Sequence, residues 1–202
     1  MPARLLLIRH GETIWNKERR SQGFSDVPLS ETGRAQAEAL AAALANAPLA
    51  AVYCSDLSRA LHTAEQIAEP HRILVKIDVR LRELNQGELE GTKLEGLLSN
   101  HPELLKKWMS EPAEVVMPGG ESLRSLQARA WKAITEIADR HPEELVAVVA
   151  HNLCLLSAIC RAINLDLNHF RRLRLQNASI SELEFASHGP ILNRFNDLHH
   201  LK

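Results

Sequence analysis

The chain has 202 residues, 45% of them hydrophobic, enough to bury one substantial core and short enough to favour one domain over two. Its 24 Lys and Arg nearly balance its 25 Asp and Glu, so no global field directs it to nucleic acid or to an anionic membrane surface. No stretch approaches the ~20 apolar residues of a membrane span, and residues 1–8 lack the basic and long apolar regions of a signal peptide. A cytoplasmic protein with neither nucleic-acid nor membrane partners is therefore expected. Cys54, Cys154 and Cys160 form no CxxC pair and fall in apolar patterns, where a thiol behaves as a small hydrophobe. With no HExxH arrangement and no cysteine pair at zinc spacing, no metal and no cofactor are expected.

In chain order, the first element is a short apolar strand at residues 4–8 that runs straight into Arg9-His10-Gly11-Glu12-Thr13. This places a cation and an imidazole at a strand's carboxyl end, where open α/β sheets bind ligands, with Gly11 sparing a Cβ clash. Helical periodicity follows over residues 30–46, opened by Ser30 as N-cap, then a strand over 51–54, a helix over 57–68 and a strand over 73–77.

Residues 85–120 break this rhythm and are expected to form a lid insertion. Lys106-Lys107-Trp108-Met109 suggests a short amphipathic helix there, and Val115-Val116-Met117 either lines a pocket or packs the lid down. A helix over 122–140 capped by Ser122, a strand over 145–150 and a helix over 153–163 complete the alternation. Residues 179–185 and 191–195 flank the turn Ser187-His188-Gly189-Pro190 and read as an antiparallel hairpin on the sheet edge. His101-Pro102-Glu103 and His141-Pro142-Glu143 look like ordinary helix starts, and both histidines read as surface caps. The expected fold is α/β, a three-layer α/β/α sandwich whose mostly parallel sheet carries an antiparallel edge strand, in a single domain spanning residues 1–202. The hairpin strand at 179–185 offers an edge through which a homodimer would pair.

The chemistry follows from residue types. A neutral imidazole at His10 suits nucleophilic attack on phosphorus. Arg9 and Arg59 suit a phosphate clamp, because a planar guanidinium donates two parallel hydrogen bonds. His151 ends the strand at 145–150 and opens the next helix, so a ring nitrogen and helix-terminal amides face the same crevice.

Five pieces in order carry a family resemblance: Arg9-His10-Gly11-Glu12-Thr13-Ile14-Trp15-Asn16; Pro28-Leu29-Ser30-Glu31-Thr32-Gly33-Arg34-Ala35-Gln36-Ala37; Ser55-Asp56-Leu57-Ser58-Arg59-Ala60-Leu61-His62-Thr63-Ala64; Leu81-Arg82-Glu83 with Gly87-Glu88-Leu89-Glu90-Gly91; and Ala150-His151. In these the chain resembles the histidine phosphatase superfamily, historically named for cofactor-dependent phosphoglycerate mutase. The resemblance implies a phosphohistidine on His10, Glu83 as general acid and base, and a phosphate cradle of Arg9, Asn16, Gln22, Gly23, Arg59 and His151. Glu88 and Glu90 compete for the acid's role, but Glu83 matches the family's position for it. Glu12, an acid beside a phosphate, reads as an orienter of its neighbours, and Phe24 as lining either the pocket mouth or the core.

One departure stands out: the residue after the second histidine, usually glycine, is Asn152. Asn tolerates positive φ, so the turn survives, or its side chain enters the pocket and alters substrate preference. The string after Glu83 is closer to the phosphatase branch than to true mutases, so metal-independent hydrolysis of a small phosphorylated metabolite is expected, with phosphoserine, α-ribazole phosphate or broad specificity all open. Mutase-type phosphotransfer and a non-catalytic phosphate-binding protein are the alternatives. The ending Asn196-Asp197-Leu198-His199-His200-Leu201 matches relatives and is expected to be ordered.

Overall fold

In the computed structural model, which describes residues 2–202 apart from the side chain of Leu94, the elements run β1 (Ala3–Arg9), α1 (Ile14–Lys17), α2 (Glu31–Leu44), β2 (Leu49–Cys54), α3 (Ser58–Ala68), β3 (Val75–Ile77), α4 (Leu94–Asn100), α5 (Pro102–Ser110), α6 (Leu123–Arg140), β4 (Leu145–Ala150), α7 (Asn152–Ala162), β5 (Ile180–Ala186) and β6 (Gly189–Asp197). The strands form one sheet in the order β3-β2-β4-β1-β5-β6. β1 to β4 are mutually parallel, and β5 is antiparallel to both β1 and β6.

The strand sequences explain this layering. β1 and β4 are nearly unbroken apolar runs, as strands covered on both faces must be. Side chains alternate across the sheet, so Leu5, Leu7, Tyr53, Val146 and Val148 meet α6 and α7, while Leu6, Ile8, Val52, Cys54, Ala147 and Val149 meet α2 and α3. The outcome is the three-layer α/β sandwich. In α6 the stripe Leu123, Leu126, Ala130, Ala133, Ile134, Ile137 is buried at helical spacing, and truncating Ile134 to Ala would cost about 2–5 kcal/mol. Ser30 and Ser122 act as the expected N-caps, their hydroxyls accepting from Gly33 N at 3.0 Å and Ser125 N at 3.1 Å.

Four expectations need correction. The strand at residues 179–185 is not the outermost one: β5 is paired on both sides, and β6 is the free edge of the hairpin, so any edge-to-edge pairing there would use β6. The insertion holds two short helices, because Pro102 cannot continue α4 and His101 leaves helical geometry at φ −132°. His141 is no surface cap: it ends α6, is 8% exposed, and sits between the Tyr53 hydroxyl at 3.1 Å and the Glu144 carboxylate at 2.6 Å. His101 does cap the start of α5, as expected, but it is half-buried rather than on the open surface and borders the cavity described below.

The turn His199–Leu201 lies against α2, and Leu198 and Leu201 border a second cleft that also reaches Arg9 and Asn152. All three thiols are free, and burial pushes those of Cys54 and Cys154 up to about 12, which makes them inert packing groups. Among the described residues no helix is long and apolar enough to cross a membrane.

Candidate active site

Parallel strands deliver their carboxyl ends to one edge of the sheet, and the loops leaving β1, β2 and β4 meet there. β1 ends at Arg9 with His10 next, α3 brings Arg59 after β2, and His151 caps α7 directly after β4. The ends are tied together: His10 N donates to the Ala150 carbonyl at 3.1 Å. Gly11 serves a close approach rather than a turn. A Cβ there would lie 2.4 Å from the Gly33 carbonyl oxygen, and one on Gly33 would lie 1.9 Å from that of Glu12. These two glycines let the end of β1 touch the start of α2.

His10 is 3% exposed and its Nδ1 lies 2.6 Å from the Gly11 carbonyl oxygen. A carbonyl only accepts, so the proton sits on Nδ1 and Nε2 keeps its lone pair. Burial, reinforced by Arg59 and Arg9, holds this imidazole well below its ordinary range, so it is neutral at neutral pH. His151 is fully buried, meets His10 edge-on at 5.1 Å between ring centroids, and is pushed down for the same reasons, burial first. Neither of its ring nitrogens has a hydrogen-bond partner.

Arg59 is 1% exposed and donates to the carbonyls of Ser25 and Gly23, each at 2.8 Å. Arg9 donates to the Leu175 carbonyl at 2.6 Å. Burial lowers Arg9 to about 10, opposed by Glu83, and it remains a cation at neutral pH. Both guanidiniums thus bond to carbonyls rather than to carboxylates, which leaves two positive charges, Arg59 buried and Arg9 half-buried, for an anion to meet.

The loop after α1 supplies amides. Thr13 and Asn16 form a reciprocal cap, and Asn16 Oδ1 also accepts from Asn177 Nδ2 at 3.1 Å. Gln22 Oε1 accepts from the Thr13 hydroxyl at 2.9 Å. With both oxygens occupied, each residue has its NH2 group left to offer the cavity both border. Gly23 adopts φ +55°, and a Cβ there would meet Glu90 Oε1 at 2.2 Å. Glu90 itself accepts from Phe24 N and Ser25 N at 2.7 Å and from the Ser25 hydroxyl at 2.6 Å, so it shapes this loop.

Glu83 is 8% exposed and points at the start of α7. Its Oε1 accepts from Leu84 N at 2.9 Å and from Leu153 N and Cys154 N at 3.1 Å. Amides at a helix N-terminus suit a carboxylate. Arg129 holds the supporting backbone, donating to the carbonyls of Arg80 at 2.8 Å, Arg82 at 2.7 Å and Glu83 at 2.6 Å while pairing with Glu121. The Phe24 ring lies under Arg82 and Arg129, at 4.9 and 5.8 Å, rather than at the pocket mouth.

Asn152 is the first residue of α7 and does not have positive φ, so its difference from glycine needs no conformational allowance, and its side chain borders the cavity. Among the described residues Glu12 forms no ion pair with an arginine; its carboxylate accepts from the Ser30 hydroxyl at 2.9 Å, at the start of α2.

Other participants were not read from the sequence. Asn177, just before β5, donates to the His10 carbonyl at 3.2 Å as well as to Asn16, and is followed by Ala178 at φ +57°, a left-handed conformation rarely adopted by alanine. Phe170, Arg171 and the lid residues Leu97, His101, Leu104 and Leu105 enclose the far side of a cavity of about 400 Å³ whose near side is Arg9, His10, Asn16, Gln22, Gly23, Arg59 and Glu83. The cationic run Arg171-Arg172-Leu173-Arg174 was the available hint. Among the described residues no group of three or more His, Cys, Asp or Glu could hold a metal ion.

Residues 5–198 match the sequence model of the histidine phosphatase superfamily, branch 1. The chain belongs to this superfamily. This histidine phosphatase is 34% identical over 198 residues to phosphoserine phosphatase 1 of Hydrogenobacter thermophilus, covering 98% of this chain and 94% of that protein. It is 34% identical over 201 residues to a probable phosphoglycerate mutase GpmB of Erwinia tasmaniensis, covering 97% and 94%. Its structure superposes on that of Bacillus stearothermophilus YhfR with a TM-score of 0.94 at 33% identity, over 99% of this chain and all of that one.

Proposed function

We propose that this histidine phosphatase hydrolyses phosphomonoesters of small metabolites through a phosphohistidine on His10. The observation that carries this reading is a neutral His10 whose proton is fixed on Nδ1, bordering a cavity shared with the guanidiniums of Arg9 and Arg59. Nε2 attacks phosphorus and the bond to the ester oxygen breaks, while a protonated Glu83 gives its proton to the departing alkoxide. In the second half-reaction water attacks the phosphohistidine, its proton goes to the Glu83 carboxylate, and the P–N bond breaks to release phosphate and restore both groups. Arg9, Arg59, His151 and the amides of Asn16, Gln22 and Gly23 hold the phosphoryl oxygens, so the protein's own donors supply the charge stabilisation.

Asn152 and the lid face the leaving group. The relative named as a phosphoserine phosphatase supports hydrolysis. The one named as a probable mutase supports a second reading, in which a bound alcohol takes the phosphoryl group before water does.

The test is phosphate release from p-nitrophenyl phosphate without added metal, with an alkaline quench and mass spectrometry of the peptide containing His10. Phosphorylated His10, and loss of at least about 10⁴-fold in turnover in His10→Ala, are expected. Transfer to an added alcohol such as glycerate at the expense of water would favour the mutase. No phosphorylation and no release would leave a phosphate-binding protein.

A further inference from the structure

Residues 175–178, which lead into β5, touch four residues of the proposed phosphate site, yet none of them borders the catalytic cavity. Arg9 donates to the Leu175 carbonyl at 2.6 Å, and Ala178 N donates to the His10 carbonyl at 3.1 Å. Asn177, on the wall of the second cleft, makes the side-chain contacts. Its Nδ2 lies 3.1 Å from Asn16 Oδ1, 3.2 Å from the His10 carbonyl oxygen and 3.4 Å from that of Gly11, the group that holds the His10 proton. Backbone carbonyls only accept, which fixes the NH2 end of Asn177 toward them, and Thr13 N only donates, which fixes Asn16 Oδ1 toward it. The segment is held in turn from β6, where Asn196 Oδ1 accepts from Gln176 N at 2.8 Å. Ala178 is fully buried at φ +57°, a strained conformation that persists only where the surroundings fix it from several sides.

We infer that Asn177 is a positioning residue: it holds the Asn16 amide in register with the backbone of His10 and keeps the donor end of that amide turned to the phosphate. The inference rests on the reading above that a phosphoryl group sits beside His10, and it adds a residue that acts on that group only through another. Asn16 Oδ1 has two lone pairs, and Thr13 N takes one at 3.1 Å. The Thr13 hydroxyl has a single proton and lies closer to Gln22 Oε1, at 2.9 Å, than to Asn16 Oδ1, at 3.1 Å, so Asn177 fills the second. With both filled, Asn16 cannot swing its oxygen into the cavity, where an acceptor would face an anion. Without Asn177 the amide is held on one side only, whereas the His10 carbonyl keeps the Ala178 amide. The loss therefore falls on the phosphate donor and not on the placement of the nucleophile.

The experiment is calorimetric binding of inorganic phosphate to the full chain and to Asn177→Ala, Asn177→Asp, Asn16→Ala and the double variant Asn16→Ala/Asn177→Ala, with melting temperatures measured alongside. Asn177→Ala is expected to weaken phosphate at least about fivefold, the scale of one hydrogen bond. The double variant should bind within about twofold of Asn16→Ala alone, because the second substitution acts through a side chain already removed. Asn177→Asp, of the same size, should weaken phosphate more than alanine does, since its carboxylate draws the Asn16 NH2 group away from the cavity; it decides the matter where Asn177→Ala does not fold. Losses that multiply in the double variant overturn the inference, as does an Asn177→Asp chain that binds like the wild type. So does an Asn177→Ala chain that melts lower yet binds phosphate as before, which is the mark of a brace. Binding needs no turnover, so this cycle judges Asn177 even in a chain that hydrolyses nothing. A wild-type chain that binds no phosphate would instead defeat the phosphate reading of the cavity and the inference with it.

Discussion

The two ends of one cavity are built on opposite plans. At the end proposed to hold phosphate, side chains hang from strand termini and are locked by short bonds to backbone: His10 to Gly11, Arg59 to Ser25 and Gly23, Glu83 to three amides. At the lid end, two short helices, with no buried side chain among those described, close an apolar chamber, held down by packing and by Arg171 on Trp108. Chemistry needs positions fixed to fractions of an ångström, whereas a chamber that only encloses a ligand needs the right surface. The division lets the lid vary without disturbing the reaction centre.

Substitutions of decreasing reach should expose that division. Glu83→Gln should lower turnover of alkyl phosphates by about 10²–10⁴-fold, and that of p-nitrophenyl phosphate much less because nitrophenolate leaves without a proton. Equal loss on both esters would remove Glu83 from the acid's place. Arg129→Met deletes the donors to the Arg80, Arg82 and Glu83 carbonyls without touching the cavity wall. Displacing Glu83 by about 1 Å should cost on the order of 10²-fold in kcat, with the same leaving-group dependence as Glu83→Gln and little change in KM. A uniform loss across esters would reduce Arg129 to a structural brace.

Acid should act through the two buried imidazoles. Folding lowers the pKa of His10 and His151, so below about pH 6.5 the unfolded chain takes up protons that the native state excludes. Stability is then flat above that pH and declines as pH falls through it, by about 1.4 kcal/mol per pH unit for each histidine. Urea midpoints at pH 7.5 and 5.5 measure the slope, which His151→Gln should halve; an unchanged slope would show that His151 takes its proton in the native state. At the lid, Arg171→Ala should have the smallest effect, a rise of a few-fold in KM for ring-bearing esters with kcat preserved, in line with about 1 kcal/mol for its contacts on Trp108 and Phe170. A collapse of kcat would instead tie the lid to the reaction centre.

The phosphate end was largely legible in the sequence because its residues sit at strand ends inside short local strings, and the alternation of apolar strands and amphipathic helices predicts the layers. What stayed hidden depends on distant partners. Asn177 reaches Asn16 across 161 positions, and no local pattern marks an asparagine before an edge hairpin as part of a histidine's support. His141 obeys a local helix-end rule, yet Tyr53 and Glu144 bury it. The two-helix lid was hidden for a different reason, since weak amphipathic stretches broken by proline specify helices without saying what they enclose.

The position of β4 has a consequence for how the enzyme comes into being. β1 and β2 never touch each other; each pairs with β4, which is synthesised nearly a hundred residues after β2. A nascent chain that stops short of Leu145 therefore holds two apolar strands with no neighbour to join them, and carries His10 long before His151 arrives to face it. Folding through such a late central strand relies on long-range contacts, which form slowly and leave strand edges exposed meanwhile. The insertion of one six-residue strand thus both joins the two halves of the sheet and brings His151 to His10.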